Sequence, residues 1–120
     1  MPPRLSVGNL EAHREFLDVR DVAQAYVQVI AASDELASGT VLNVASGRPR
    51  AIASVLEDLT RLARVSFEVV LDSTRMRPSE IPLASGDSGR LHAATRWIPQ
   101  IPWSETLAAV LDDARARHGA

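Results

Sequence analysis

The spacing of hydrophobic residues predicts a first helix from Asp18 to about residues 33–34. Asp18 can cap the helix, and Asp21 places a negative charge in its first turn. Apolar residues then recur at helical spacing from Val22 to Ile30, and this pattern places Tyr26 on the face that packs into the core. The same spacing predicts three later helices, which begin near residue 52, at residue 87 and at residue 103.

Shorter apolar runs rich in β-branched residues predict extended segments between these helices. The predicted strands are residues 5–9, 40–44 and 67–71, with a further extended stretch at 14–17. Gly8 and Asn9 end the first strand in a turn, and residues 72–82 form a polar loop containing two prolines. The order of elements therefore predicts an α/β fold with a small three-stranded sheet and about four helices.

Length and composition exclude several classes of protein. A chain of 120 residues is expected to be one domain, residues 1–120. It contains no cysteine, which excludes disulfides and thiolate metal sites, and its net charge of −2 argues against a nucleic-acid binder. The sequence has no apolar run of about 18 residues and no secretory signal at its start, so no membrane association and a cytoplasmic location are expected.

All 13 basic residues are arginine, and there is no lysine. This bias is compatible with a GC-rich genome or with anion binding, and composition does not separate the two. The three histidines lie far apart and lack metal-ligand spacing, so no metal site is expected. No G-x-S-x-G or G-x-G-x-x-G sequence occurs, and the glycines of residues 86–89 are too closely spaced for a phosphate-binding loop.

The loop between residues 72 and 82 carries the strongest chemical signal. Arg75 and Arg77 could bind phosphate oxygens, since guanidinium groups pair with them in a bidentate manner. Glu80 could accept hydrogen bonds from the vicinal diol of a ribose. The same residues also fit a solvated loop with an Arg–Glu pair, and chemistry alone leaves both interpretations open.

Several motifs in order resemble one known family. Residues 7–22, VGNLEAHREFLDVRDV, resemble the V-G-N-L-x-x-x-R-D-F-x-D-V-R-D-V segment of GDP-mannose-type extended short-chain dehydrogenases, the family of GDP-mannose 4,6-dehydratase and GDP-6-deoxy-D-mannose reductase. The resemblance continues through NVASG at 43–47, RMRPSEIP at 75–82 and TRWIP at 95–99. It covers nearly the whole chain and corresponds to the C-terminal lobe of such enzymes. Residues 16–21 are closer to the reductase, although the subtype stays open.

The resemblance implies a GDP-sugar site and names its residues. In the family, the arginine of the first motif and the R-P-x-E/D loop contact the GDP moiety. In this sequence the matching positions are Arg14, Arg77, Pro78, Ser79 and Glu80, with Asn9 and Arg75 as secondary candidates.

The resemblance also implies what this chain lacks. The family uses NADP or NAD and a Tyr-x-x-x-Lys set in an N-terminal Rossmann lobe, so this chain is expected to bind no cofactor and to contribute no catalytic residue. Its expected partners are a GDP-sugar and either the missing Rossmann lobe or a second copy in a homo-oligomer. The expected function is the GDP-sugar-binding lobe of an NAD(P)-dependent reductase or dehydratase. A stand-alone, non-catalytic binding or oligomerisation module is the alternative.

Three positions depart from the family pattern. Glu15 replaces an aspartate, Ala51 stands where a Ser or Thr often caps a helix, and Arg96 replaces a frequent glycine. The loss of the cap is expected to weaken the second helix, and Arg96 is expected to occupy a left-handed helix terminus that favours glycine.

Overall fold

Four α-helices and four short strands form the part of the chain that the structure describes, residues 2–76 and 81–119 of a computed structural model. The order is β1 (Arg4–Val7), β2 (His13–Arg14), α1 (Val19–Ala31), β3 (Arg50–Ala51), α2 (Ile52–Leu62), β4 (Glu68–Leu71), α3 (Gly89–Thr95) and α4 (Trp103–Arg117). The predicted α/β class and the number of helices are confirmed.

The strands form two separate pairs. β1 lies parallel to β4, with Arg4 opposite Glu68 and Val7 opposite Leu71. β2 is antiparallel to β3 and includes the pair Arg14–Arg50. In the described residues the arrangement therefore differs from the single three-stranded sheet that the sequence predicted.

The missing third strand is the predicted strand at residues 40–44. Its side chains alternate between the two sides as in a β-strand: Leu42 and Val44 pack against the core, while Val41 is 71% exposed. No other described segment lies beside it to form a ladder of hydrogen bonds. The propensity for a strand is present, but a strand needs a neighbour to pair with.

Two aspartates fix the start of α1. Asp18 caps the helix as predicted, because its carboxylate accepts a hydrogen bond from the backbone N–H of Arg20 at 2.9 Å. The Arg20 side chain donates to both carboxylate oxygens, and the Thr106 hydroxyl in α4 donates to one of them at 2.9 Å. Asp18 is buried, so this cap also ties α1 to α4.

Asp21, one turn later, joins α1 to the segment between α3 and α4. Its carboxylate accepts hydrogen bonds from the backbone N–H groups of Gln100 and Ile101 at 3.0 and 3.1 Å. Its carbonyl accepts the indole N–H of Trp97 at 2.9 Å. A buried carboxylate is tolerated here because backbone donors satisfy both of its oxygens.

The core beside these contacts is small. Its fully buried members are Ala25 of α1, Leu91 of α3 and Trp97. Arg96, which precedes the tryptophan, has a φ of 64° at the C-terminus of α3, so the predicted left-handed position is confirmed. This left-handed conformation is disfavoured for every residue except glycine, because a Cβ atom crowds the backbone there.

Two residues predicted to face the core are instead exposed. Tyr26 is 61% exposed and Ile30 is 72% exposed, both on α1. Asp21 and Ala25 define the buried side of α1, which turns Tyr26 outward. The predicted helical spacing of these apolar residues was correct. However, the described residues cover only the side of α1 that carries Asp21 and Ala25.

The indole of Trp103 holds α2 and α4 together. Its N–H donates to the Asp58 carboxylate at 2.9 Å. Phe16 lies with its ring centroid 5.5 Å from that of Trp103, and the Arg50 guanidinium lies 4.4 Å from the Trp103 ring centroid. These contacts combine aromatic packing with a cation–π interaction across three elements.

We expect Asp18→Asn to destabilise the fold by about 1–2 kcal/mol at neutral pH, because the carboxylate then loses its charge-assisted bonds to Arg20. Those bonds hold the pKa of Asp18 well below its ordinary value of 3.8. The charge therefore stabilises the folded state fully above that value, and the stabilisation is lost as the pH falls toward the lowered folded-state pKa. Urea unfolding at pH 7 and pH 3 should show a smaller difference between the two proteins at pH 3.

Asp113→Asn is the matched control, since Asp113 forms an ion pair with Arg117 at 2.9 Å but its side chain is 61% exposed. That substitution should change the unfolding free energy by less than about 0.5 kcal/mol. An equal loss for Asp18→Asn at both pH values would contradict the assigned role of its charge.

Candidate functional site

A groove of about 400 Å³ lies between the end of β1 and the exposed side of α2. We name it the β1–α2 groove. One wall is the backbone turn that follows β1 and includes Gly8 and Asn9, and Arg75 lies at its edge. The opposite wall is the apolar side of α2, formed by Ile52, Val55, Leu56 and Leu59.

The first turn of α2 is anchored to the chain that leaves the groove. Ala51 precedes the helix and provides no side-chain cap, as the sequence indicated. Instead, the backbone N–H of Ile52 donates to the carbonyl of Ala12, and that of Ala53 donates to Leu10, both at 2.9 Å. Backbone carbonyls thereby satisfy two of the free amides at the helix start. These two backbone hydrogen bonds replace a side-chain cap and hold the apolar wall of the groove beside residues 8–12.

A close backbone approach forms the base of the groove. A Cβ atom placed on Gly8 would lie 2.6 Å from the carbonyl oxygen of Arg75. Glycine is therefore required at this position for the turn after β1 to meet the segment after β4. The chain reaches the same point from β4, because the backbone N–H of Asp72 donates to the carbonyl of Val7 at 2.8 Å.

Arg75 is positioned by a short 3₁₀ turn, Ser73–Arg75. Asp72 caps this turn and accepts hydrogen bonds from the backbone N–H and the hydroxyl of Thr74 at 2.9 and 2.6 Å. Those bonds, foremost the one from the hydroxyl, lower the pKa of Asp72, and the nearby Arg75 contributes in the same direction. Arg75 lies 3.5 Å from the Asp72 carboxylate with its side chain 61% exposed, so it can still meet an anion.

The structure brings together only some of the predicted site residues. Asn9 and Arg75 line the same groove, and the Asn9 side chain accepts the backbone N–H of Glu11 at 2.8 Å. Arg14 lies on β2, outside the groove lining, and its guanidinium donates to the carbonyl of His13 at 2.7 Å. The remaining predicted residues, Arg77, Pro78, Ser79 and Glu80, lie outside the described residues.

Glu15 has a role that sequence reasoning missed. Its carboxylate accepts hydrogen bonds from the Ser46 hydroxyl at 3.0 Å and from the backbone N–H groups of Gly47 and Gly86. It thus joins two distant segments, residues 46–47 and residue 86, to the chain next to Arg14. The sequence showed only that Glu15 stands where the family has an aspartate. Its position directly after Arg14, a predicted binding residue, was the one sign that it could matter.

The apolar wall of the groove is a second feature that the sequence did not assign. Each of its four residues is only half-buried in the described chain. Their helical spacing was visible in the sequence, but the spacing does not distinguish a core from an open groove.

A larger cleft of about 650 Å³ lies beside α1 and the start of α4. Asp18, Asp21 and Trp103 line it, and all three are engaged in the contacts that hold the fold. Arg48 and Arg50 add positive charge, while Asp87 adds negative charge. The cleft is a junction between elements rather than a surface with a single charge preference.

Across residues 2–76 and 81–119, no group of three or more His, Cys, Asp or Glu side chains is arranged to hold a metal ion. In the same ranges, no helix is both long and apolar enough to cross a membrane.

The family model for GDP-mannose 4,6 dehydratase matches residues 2–110, nearly the whole chain. The chain belongs to the GDP-mannose 4,6-dehydratase family. The resemblance predicted from its motifs is thereby confirmed, including the correspondence to the C-terminal part of such proteins.

Individual relatives are similar to the chain over nearly its whole length. GDP-6-deoxy-D-mannose reductase of Pseudomonas aeruginosa is 39% identical over 114 residues, which are 95% of this chain and 36% of that protein. RMD from Pseudomonas aeruginosa, solved in complex with NADPH, has a TM-score of 0.83 and 38% identity over 95% of this chain and 36% of its own. A candidate epimerase from Burkholderia cenocepacia J2315 also has a TM-score of 0.83, with 38% identity over 95% of this chain and 37% of its own. The chain therefore spans about a third of the length of these relatives.

We expect Gly8→Ala to destabilise the protein by about 1–3 kcal/mol, because the new methyl group forces the backbone apart at the base of the groove. Ser6→Ala, two residues earlier in β1, is the control and should change stability by less than about 0.5 kcal/mol. Urea unfolding followed by circular dichroism measures both. Wild-type stability for Gly8→Ala would show that the turn and the Arg75 segment can separate without cost.

Proposed function

We propose that this chain is the GDP-sugar-binding lobe of an NAD(P)-dependent GDP-6-deoxy-D-mannose reductase. The observation that carries the proposal is the pairing of an apolar wall on α2 with Arg75 at the edge of the same groove. The 39% identity to a GDP-6-deoxy-D-mannose reductase favours the reductase over the dehydratase within the family.

The chemistry of the groove suits a nucleoside diphosphate. A heterocyclic base can lie against the half-buried aliphatic side chains of α2, including Val55 and Leu56. The guanidinium of Arg75 can donate to phosphate oxygens, and its exposed side chain reaches solvent at the groove edge. Asn9 adds an amide beside them, although its carbonyl oxygen already accepts a backbone hydrogen bond.

The predicted residues beyond the groove complete the proposal. Arg14, on β2, follows Asn9 by five residues and is proposed to bind the diphosphate together with Arg77. Glu80 is proposed to accept hydrogen bonds from the ribose diol, with Pro78 and Ser79 shaping the loop. Two arginines on one diphosphate should dominate the affinity, because charge-assisted hydrogen bonds are stronger than neutral ones.

The described residues of this chain, 2–76 and 81–119, do not form a dinucleotide site around β1. β1 leads into the turn at Gly8 and then into another extended stretch, not into a helix that could face a pyrophosphate with its N-terminus. The sequence also has no lysine for a Tyr-x-x-x-Lys set. We therefore propose that NADP belongs to the part of the relatives without a counterpart here, and that this chain alone does not reduce a GDP-sugar.

We expect GDP to bind the isolated chain weakly, with a dissociation constant of about 0.1–1 mM, since the sugar end of the ligand has no partner in this lobe. Amide NMR titration should shift signals of the β1–α2 groove, around Asn9 and Arg75. Binding should weaken as salt is added, because the phosphate contacts are partly exposed to solvent. Absence of any shift in the groove or at residues 77–80 up to about 10 mM GDP would reject the proposal.

We expect Arg75→Ala and Arg77→Ala each to weaken GDP binding about 5- to 20-fold, and Ser79→Ala to weaken it less. Arg117→Ala is the matched control, because Arg117 is also an exposed arginine paired with an aspartate but lies at the end of α4. Glu80→Gln should matter more for GDP than for its deoxyribose analogue, which has only one of the two hydroxyls. Equal effects of Arg75→Ala and Arg117→Ala would indicate nonspecific charge attraction.

A further inference from the structure

Two arginines lie side by side on the short ribbon formed by β2 and β3. Arg14 and Arg50 occupy directly opposite positions of this antiparallel pair. Opposite residues have Cα atoms about 4.5–5.5 Å apart and side chains on the same face of the sheet. Like charges in this arrangement destabilise a strand pair. The ribbon therefore concentrates positive charge at a position where folding alone gains nothing from it.

Arg50 has no carboxylate partner that would offset this repulsion. Among residues 2–76 and 81–119, the half-buried Arg50 side chain takes part in no ion pair and no hydrogen bond. By contrast, the half-buried Arg115 lies 3.4 Å from the Asp112 carboxylate and donates to the carbonyl of Leu62 at 2.8 Å. The five N–H donors of Arg50 are thus available to an acceptor that the described residues do not supply.

Two aromatic rings hold the charge of Arg50 in place. Its guanidinium lies 4.4 Å from the Trp103 ring centroid, and the Phe16 ring lies 5.5 Å from the same centroid. Trp103 is fixed in turn, because its indole N–H donates to the Asp58 carboxylate at 2.9 Å. A cation–π contact restricts a guanidinium without using its N–H donors in hydrogen bonds. Arg50 is therefore a preorganised cation, and a preorganised side chain loses less entropy when it binds a ligand.

The β2–β3 ribbon connects the two concave surfaces of the molecule. Along its first strand, the chain runs from Leu10 in the β1–α2 groove to Phe16 in the larger cleft. Along its second strand, the chain runs from Arg50 in that cleft to Ile52 in the groove. The pair of Arg14 and Arg50 therefore lies between the larger cleft and the groove, where the proposed function places the nucleoside.

We propose that Arg50 is a further phosphate-binding residue, which holds the distal phosphate of the nucleoside diphosphate opposite Arg14. A guanidinium can donate two parallel hydrogen bonds to one phosphate group. The negative charge of a diphosphate also offsets the repulsion between the two arginines. Arg50 then distinguishes a nucleoside diphosphate from a monophosphate, which has no distal phosphate.

The proposal rests on the proposed function, because that function assigns the diphosphate to Arg14. It also goes beyond the resemblance to the family. Arg50 lies outside every motif that carries the resemblance, and those motifs give it no role.

Titration of the whole chain with GDP and, separately, with GMP tests the proposal. In NMR spectra of the arginine side chains, the Nε–Hε signal of Arg50 should shift on addition of GDP and much less on addition of GMP. The amide of Asn9 in the groove should shift with both nucleotides. This measurement uses the unmodified chain, so it does not depend on whether a variant folds. An Arg50 signal that stays unchanged at saturating GDP, or that moves equally with GMP, would overturn the proposal.

Substitution of Arg50 measures its share of the affinity. Arg50→Gln should weaken GDP binding about 3- to 10-fold and GMP binding less than about twofold, because a charge-assisted contact to the distal phosphate is lost. Arg50→Lys keeps the charge without the planar fork, so its loss should be smaller than that of Arg50→Gln. Arg64→Gln is the matched control, because Arg64 is an exposed arginine that lines neither concave surface. Equal losses for Arg50→Gln and Arg64→Gln would indicate long-range charge attraction and refute the assignment.

A purely structural role for Arg50 gives a different result. Urea unfolding of Arg50→Gln measures how much the contact with Trp103 stabilises the fold. A lower unfolding free energy with an unchanged ratio of GDP to GMP affinity would make Arg50 a packing residue and overturn the proposal. In that case, GDP shifts at Asn9 and Arg75 would still support the proposed function. No shift in the groove with either nucleotide would reject the proposed function and the role of Arg50 with it.

Discussion

The two carboxylates at the start of α1 hold together most of what this chain buries. Asp18 caps α1 and accepts the Thr106 hydroxyl of α4, while Asp21 accepts two backbone amides before α4 and binds the Trp97 indole through its carbonyl. The buried hydrophobic cluster is too small to fix these elements by apolar packing alone. Directional bonds to buried charges therefore set the relative positions of α1, α3 and α4, because each bond fixes both a distance and an orientation.

The β1–α2 groove depends on a different set of contacts. Gly8 allows the turn after β1 to meet the backbone of Arg75, and the carbonyls of Leu10 and Ala12 take over the role of a helix cap for α2. Glu15 then joins the chain after Arg14 to the turns at residues 46–47 and 86. Binding residues on loops need such rigid supports, because ordering a free loop on binding reduces affinity.

The sequence predicted the helices and strands better than it predicted which elements pack against each other. The cap at Asp18, the uncapped start at Ala51 and the left-handed Arg96 are local features, and local residue chemistry decides them. Pairing of strands and exposure of helix sides depend on distant segments. Residues 40–44 therefore have the propensity and spacing of a strand but pair with no other described strand. Tyr26 has the spacing of a core residue but is exposed, because no described segment packs on that side of α1. Of the predicted site residues, Asn9 and Arg75 line the β1–α2 groove. No local pattern reveals that Glu15 joins segments 31 and 71 residues away.

The β1–α2 groove and the junction at the start of α1 share no residues. The groove is built from the end of β1, α2 and the turn that ends at Arg75. The junction is built from Asp18, Asp21, the segment before α4 and Thr106. The Trp103 indole connects α4 to the groove side of the molecule, because it donates to Asp58 of α2 at 2.9 Å. A substitution at Asp18 or Asp21 therefore loosens α1 from α4 without removing a contact that forms the groove walls, and its effect on stability adds to that of a change in the groove.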